Sequence, residues 1–365
     1  MEDPTAPAGL PDPGALSESF LVYEVEEADE GVRYYGEPAG DRETVLRALA
    51  PQFRERGYRV QLRRETGEYV LVATERSPGV EGVPWTHIVL FFATVLSTLY
   101  AGARWYGLDA TDPVALLRAW PFALSVLGVL AVHEFGHYAL SRYHNVEATL
   151  PYFIPLPNVL GTLGAVIRLK DNMPSRRALF DIGVAGPLAG LAATLVVTAV
   201  GVSLPPVEAS GRTLIDGLQL GYPPLVQGVA ALLGEPLTYG PGEQVNPVVV
   251  GGWVGAFVTF LNLLPVGQLD GAHVARALVG DQIERVSQVV PIVLFGLAAY
   301  LYAFEGGRSA TLWVVWGVLS ALFLRAGSAT PVDETPVGRG RQAIGLLTLL
   351  LGVACFTPVP ITFTG

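Results

Sequence analysis

The sequence predicts a multi-span α-helical membrane protein, with about six to seven transmembrane helices, a re-entrant strand-like segment and a small N-terminal α+β module. Three observations carry that expectation. Of 365 residues, 51% are hydrophobic and 15% charged, against roughly 25% charged in soluble domains. The charge is uneven, because residues 1–84 hold seventeen of the thirty-three acids and nine of the twenty-three bases. Beyond them come seven apolar stretches, most of them long enough to cross about 30 Å of hydrocarbon as helices.

Taken in order, residues 1–19 are rich in Pro, Ala and Gly and read as a disordered tail without a cleavable signal. Residues 20–84 read as a cytoplasmic ββαββ module of about 65 residues, a size that can only just bury its own core. Phe20 to Val25 and Gly31 to Tyr35 form its first two strands. Asp41 caps a helix that runs to Arg56, with Val45, Leu46, Leu49 and Phe53 on one face. Gly57 stops it, and Tyr58–Leu62 and Tyr69–Thr74 pair as a hairpin around Glu65-Thr66-Gly67. Acids such as Glu24, Glu26, Glu27, Asp29 and Glu30 read as a solvated face.

Residues 85–365 form the membrane domain, with a core at 86–290. Its apolar stretches are 86–106, 121–142, 180–203, 247–266, 286–304, 309–325 and 342–360. Residues 150–167 are apolar too, but Pro151, Pro155, Pro157, Gly161 and Gly164 do not suit a lipid-facing helix. That segment reads as re-entrant, or buried against the bundle.

Orientation follows the arginines. Connections after the second, fourth and sixth stretches hold ten bases, among them Arg142, Arg168, Lys170 and Arg176, while the alternate ones hold only Arg104, Arg118, Arg212 and Arg308. Positive residues mark the cytoplasmic side, so the N-terminal module and the active-site face are expected there, in the cell membrane. The C-terminus is then outside. A net charge of −10 argues against a nucleic-acid partner. One cysteine, Cys355, excludes an internal disulfide framework and a cysteine-based zinc cluster. The acidic, lysine-poor composition fits a halophilic prokaryote, and a GC-rich genome gives the same arginine bias.

The chemistry sits inside the second stretch, at His133-Glu134-Phe135-Gly136-His137. Residues i and i+4 of a helix share a face, so both imidazoles can reach one metal ion. Zinc suits two neutral imidazoles, and Glu134 stands where a carboxylate can take a proton from water at the metal. Three ionisable groups within five residues of a membrane span mark a functional site. A zinc site needs a third protein ligand and an open fourth position. The fourth stretch ends in Asn262-Leu263-Leu264-Pro265-Val266-Gly267-Gln268-Leu269-Asp270-Gly271, where Pro265 and Gly267 break the helix and Asp270 is the acid closest to an apolar span. Zinc with two neutral histidines, one aspartate and one hydroxide sums to zero charge, the least unfavourable state in a low-dielectric interior.

With HEFGH in one span and NLLPVGQLDG closing a later one, the chain resembles the site-2 protease family of intramembrane zinc metalloproteases. That resemblance implies one Zn²⁺ per chain, held by His133, His137 and Asp270, with Glu134 as catalytic base. It implies that Asn262 contacts the reacting carbonyl. The stretch Gly161-Thr162-Leu163-Gly164-Ala165-Val166-Ile167 resembles the family's membrane-embedded strand, which makes Gly161 and Gly164 candidate substrate contacts. The implied activity is hydrolysis of peptide bonds inside transmembrane segments of other proteins, as in regulated intramembrane proteolysis. The connection 204–246 is too short for a PDZ insertion, as in archaeal-type members. The N-terminal module and LKDNMPSRRALFDIGVAGPLAG look closer to the chloroplast and cyanobacterial branch.

Other residues read as structural. His273 follows Asp270 by three and suits a supporting or helix-surface role; His87 and His144 flank spans; Cys355 packs; Gly183, Gly186 and Gly190 let helices approach closely. A zincin of another class would take Glu305 as third ligand. A transporter or channel would use the same His, Glu and Asp groups as an ion pathway.

Overall fold

The computed structural model describes residues 5–28, 31–65, 67–76, 83–169, 173–208, 218–307, 309–327 and 329–363. Asp29, Glu30, Thr66 of the expected hairpin tip, Lys170, Arg212 and Arg308 lie outside the described residues.

A short helix α1 (Pro13–Leu16) precedes β1 (Phe20–Ala28), β2 (Gly31–Pro38), α2 (Arg42–Glu55), β3 (Tyr58–Glu65) and β4 (Glu68–Glu75). The strands form one antiparallel sheet in the order β1-β2-β4-β3. Along β2 every second residue is buried, so Val32 and Tyr34 face a core that α2 covers with Val45, Leu49 and Phe53. The Asp41 carboxylate accepts from the Thr44 backbone N–H at 2.8 Å and caps α2. The expected tail differs in its second half. Leu10 and Leu16 are buried in this same core, and the Tyr34 hydroxyl donates to the Pro11 carbonyl at 3.1 Å. One helix cannot cover a four-stranded sheet, and a module this small recruits flanking chain to complete its core.

The rest is helical. It runs α3 (Trp85–Trp105), α4 (Pro113–Arg118), α5 (Trp120–Tyr143), the hairpin β5 (Tyr152–Pro155) and β6 (Thr162–Val166), then α6 (Arg176–Ser203). There follow β7 (Val207–Glu208), β8 (Leu218–Leu220), α7 (Pro224–Leu233), β9 (Glu243–Gln244), α8 (Val248–Asn262), α9 (Asp270–Val279) and α10 (Ile283–Phe304). The chain closes with α11 (Ala310–Ala326), α12 (Arg339–Ala354) and β10 (Ile361–Phe363). Among the described residues, four helical stretches are long and apolar enough to cross a membrane: Trp85–Trp105, Trp120–Tyr143, Arg176–Ser203 and Asp270–Phe304. Shorter apolar helices lie at Pro224–Leu233, Val248–Asn262 and Ala310–Arg325. The expected fourth stretch, 247–266, is helical only to Asn262, because Pro265 and a left-handed Gly267 (φ +61°) turn the chain. The expected seventh, 342–360, is a helix from Arg339 to Ala354, stopped ahead of Pro358 and Pro360.

The module docks on the end of α5 through arginines. Arg54 donates to the carbonyls of His144 (3.1 Å) and Asn145 (2.8 Å), and Arg76 donates to the Asn145 carbonyl. The His144 carbonyl is one a helix C-terminus leaves open and Asn145 follows directly after it, and cationic donors there suit the helix dipole. Arg59 pairs with the buried Glu147 at 3.0 Å. Across the same face, Arg47 pairs with Glu334, in the connection between α11 and α12, at 2.7 Å. The module therefore bridges two loops of the helical domain. Away from these contacts, β10 pairs with β8 and joins the last strand to the connection after α6.

Candidate metal centre

Helix α5 carries His133 and His137 one turn apart, and their Nε2 atoms stand 3.3 Å from each other. Asp270, the first residue of α9, brings its Oδ2 to 3.2 Å from each of them. Among the described residues this is the one group of three or more His, Cys, Asp or Glu side chains placed to hold a metal ion. His133, Glu134 and His137 are all buried. The turn that delivers Asp270 depends on Gly271, where an added Cβ would stand 2.1 Å from the Leu263 carbonyl oxygen. Only glycine lets α9 start against the end of α8.

The donors fit zinc. The Ile182 carbonyl can only accept, so the 2.8 Å contact from His137 Nδ1 fixes the proton on that nitrogen. His137 Nε2 then presents a lone pair to the Asp270 carboxylate, an acceptor facing an acceptor, which a cation between them resolves. Ligand atoms at 2.0–2.2 Å from a tetrahedral zinc lie roughly 3.3–3.5 Å apart. The separations of 3.2, 3.2 and 3.3 Å match that spacing. The carbonyl behind His137 is the outer support that metal-bound imidazoles ordinarily have.

Room for the imidazoles comes from α6. A Cβ on Gly186 would lie 2.0 Å from His137 Nε2, and one on Gly190 would lie 2.7 Å from His133 Nδ1. Gly136 serves the same packing from α5, since its Cβ would meet the Ala185 carbonyl oxygen at 2.6 Å. The expected role of Gly183, Gly186 and Gly190 was close helix approach. What approaches two of them is a ligand ring, and the third lies under His273 Cβ. Their spacing in the sequence was the available signal.

Around the cluster, the Asn262 amide nitrogen is 3.2 Å from His133 Nε2. The backbone N–H of Ile167 donates toward Glu134. A cavity of about 840 Å³ opens onto Glu134, His137, Asn262 and Asp270, and its walls include residues 165–169. Gly161 and Gly164 are not among its lining residues. Gly161 (φ +78°) packs on Ser97 and Thr98 of α3, and Gly164 (φ +121°) has open space beside it within β6.

Of the remaining residues, His273 is buried beside the cavity with its Nδ1 unpartnered. His144 Nε2 contacts Asp181 at 2.9 Å, and Arg341 clamps the same carboxylate at 2.7 and 2.9 Å. His87 stacks on Tyr152, Cys355 is buried in an apolar cluster, and Glu305 is an exposed cap of α10. Sequence reasoning did not find the docking arginines 54, 59 and 76, because nothing in their spacing distinguishes them from solvated surface.

Residues 121–302 match the model of Peptidase family M50. This core belongs to that family. The M50 chain is 31% identical over 262 residues to "Probable zinc metalloprotease EGY2, chloroplastic" of Arabidopsis thaliana, covering 71% of this chain and 45% of the relative. It is 32% identical over 246 residues to "Probable zinc metalloprotease EGY1, chloroplastic" of the same plant, covering 66% and 43%. The EGY1 protein of Oryza sativa subsp. japonica is 28% identical over 373 residues, with 90% of this chain and 63% of the relative aligned. The chain thus spans less than half the length of the Arabidopsis EGY2 and EGY1 proteins.

Proposed function

We propose that this M50 protein is an intramembrane zinc endopeptidase that hydrolyses peptide bonds within transmembrane segments of other membrane proteins. The observation that carries the reading is the convergence of His133, His137 and Asp270 on one another at 3.2–3.3 Å, with Glu134 adjacent on the same helix. Those three hold the metal, one Zn²⁺ per chain, and Glu134 is the catalytic base. Bound there, zinc supplies a Lewis acid that polarises a carbonyl and acidifies water.

The chain's own groups do the rest. Glu134 holds the proton removed from the attacking water and delivers it to the leaving amine nitrogen. The Asn262 amide donates to the carbonyl oxygen under attack, where negative charge develops. A substrate helix must first be unwound, since its peptide groups are bonded internally. β6 pairs with β5 alone among the described residues, which leaves it an edge to hold the unwound segment by β-addition. Gly164 lets that segment lie close, because no side chain stands between.

The proposal extends to placement. Seven spans with the module and cavity mouth in the cytoplasm agree with ten bases against four in alternate connections. Pairing of β10 with β8, away from the loops that hold the module, fits an odd number of crossings. The composition supports a halophilic prokaryote.

The test measures zinc content and cleavage of a transmembrane model substrate in detergent. Wild type is expected to hold one zinc and cut; Glu134→Gln to keep zinc and lose cleavage by about 1,000-fold or more; Asp270→Ala to lose both. Full zinc and cleavage in Asp270→Ala would overturn the ligand set. Ion transport by wild type that Glu134→Gln abolishes, with no cleavage in wild type, would return the transporter reading.

A further inference from the structure

The cavity over the metal centre is not closed by the membrane domain alone. Arg42, Leu46 and Arg47 of α2 form part of its wall, together with a chain segment that includes Arg168. Arg47 is engaged by Glu334. Arg42 and Arg168 are exposed, and neither guanidinium has an ion pair or hydrogen-bond partner among the described residues. Among the described residues, the carboxylates lining the same cavity, Glu134 and Asp270, belong to the metal centre. Among the described residues the cavity wall is therefore left with two uncompensated positive charges, one on the module and one just after β6.

We propose that this cavity holds a binding site for an acidic segment of the substrate flanking its transmembrane helix, read by Arg42 and Arg168. This rests on the protease reading above. A substrate segment lying along residues 165–169 to reach Glu134 would share the cavity with both arginines. Guanidinium groups bind carboxylates through paired N–H donors. They also repel the Lys- and Arg-rich flank that most transmembrane helices carry on their cytoplasmic side. Selection then works partly by rejection, the usual route to specificity where one charge pair adds little affinity. The N-terminal module, on this account, supplies half of the substrate-sorting surface.

The experiment uses the full chain in neutral detergent at about 0.15 M salt, where screening still leaves contact-range pairs. Three labelled transmembrane peptides share one sequence and differ in a flank of four Glu, four Gln or four Lys. KM and kcat are measured on wild type, and binding anisotropy on Glu134→Gln. The expected order of affinity is Glu, then Gln, then Lys, with steps of roughly three- to tenfold carried by KM and Kd rather than kcat. Arg42→Glu with Arg168→Glu inverts the order, which also shows that the variant is folded; Arg42→Gln with Arg168→Gln flattens it. An order that survives both double variants, or no order in wild type, overturns the proposal. If no peptide is cut yet binding follows and inverts the order, the protease reading falls and the acidic-segment site stands. Equal cutting with equal KM does the reverse. If phosphatidylglycerol in the micelle abolishes the order, the arginines hold lipid headgroups and the peptide assignment is overturned.

Discussion

Two interfaces of α5 are built by opposite rules. Against α6 it packs through missing side chains: Gly136 on one helix, Gly186 and Gly190 on the other, with tolerances below the size of one methyl group. At its C-terminal end it meets the module through long side chains, Arg54, Arg59 and Arg76, that reach carbonyls and one buried carboxylate. The first interface fixes the rings of His133 and His137. The second positions a separately packed body over the cavity. Glycine contacts hold atoms to fractions of an ångström because a close-packed interior cannot deform continuously. Arginine contacts tolerate movement, since a flexible stem follows its acceptor.

That contrast can be broken most severely at Gly186. Gly186→Val should lower zinc affinity by about 100-fold or more, read as zinc retained against a chelator, because the new atoms occupy the position of His137 Nε2. Gly190→Ala meets the His133 ring at 2.7 Å and should cost about 10-fold in the same measurement. Retention of full zinc in both would show that α6 can shift, and that the two interfaces do not differ in kind. Arg59→Ala strands the Glu147 carboxylate and should weaken docking by about 2 kcal/mol, seen as faster hydrogen exchange at residues 144–147 with zinc content unchanged. Asp41→Ala removes only the α2 cap and should lower the stability of the module by about 1 kcal/mol in a thermal melt.

How much of this was legible depends on the range of the interaction. His133, Glu134 and His137 lie within one helical turn, so spacing alone placed them on one face. Asp270 was found because a Pro and a Gly interrupt an apolar run beside it, and a break in a span is visible in sequence. The strands and helix of the module were legible from alternation and a cap. Its recruitment of Leu10 and Leu16 was not, because Pro- and Gly-rich composition suggests a tail whatever its few leucines touch. Span lengths were overstated at 247–266, where hydrophobicity continues past the point at which Pro265 ends the helix. The cavity wall formed by Arg42 and Arg47 depends on how two bodies meet, and no local pattern encodes that.

The residues of the cluster come from segments as far as 137 positions apart in the chain, His133 early and Asp270 late. A nascent chain inserted only through α5 carries the two imidazoles and the base but no carboxylate to complete the cluster. The cluster therefore stays incomplete until α8 has entered and α9 has begun. On the protease reading proposed above, a chain still being inserted therefore lacks a complete site, and the order of the segments delays activity without any inhibitor.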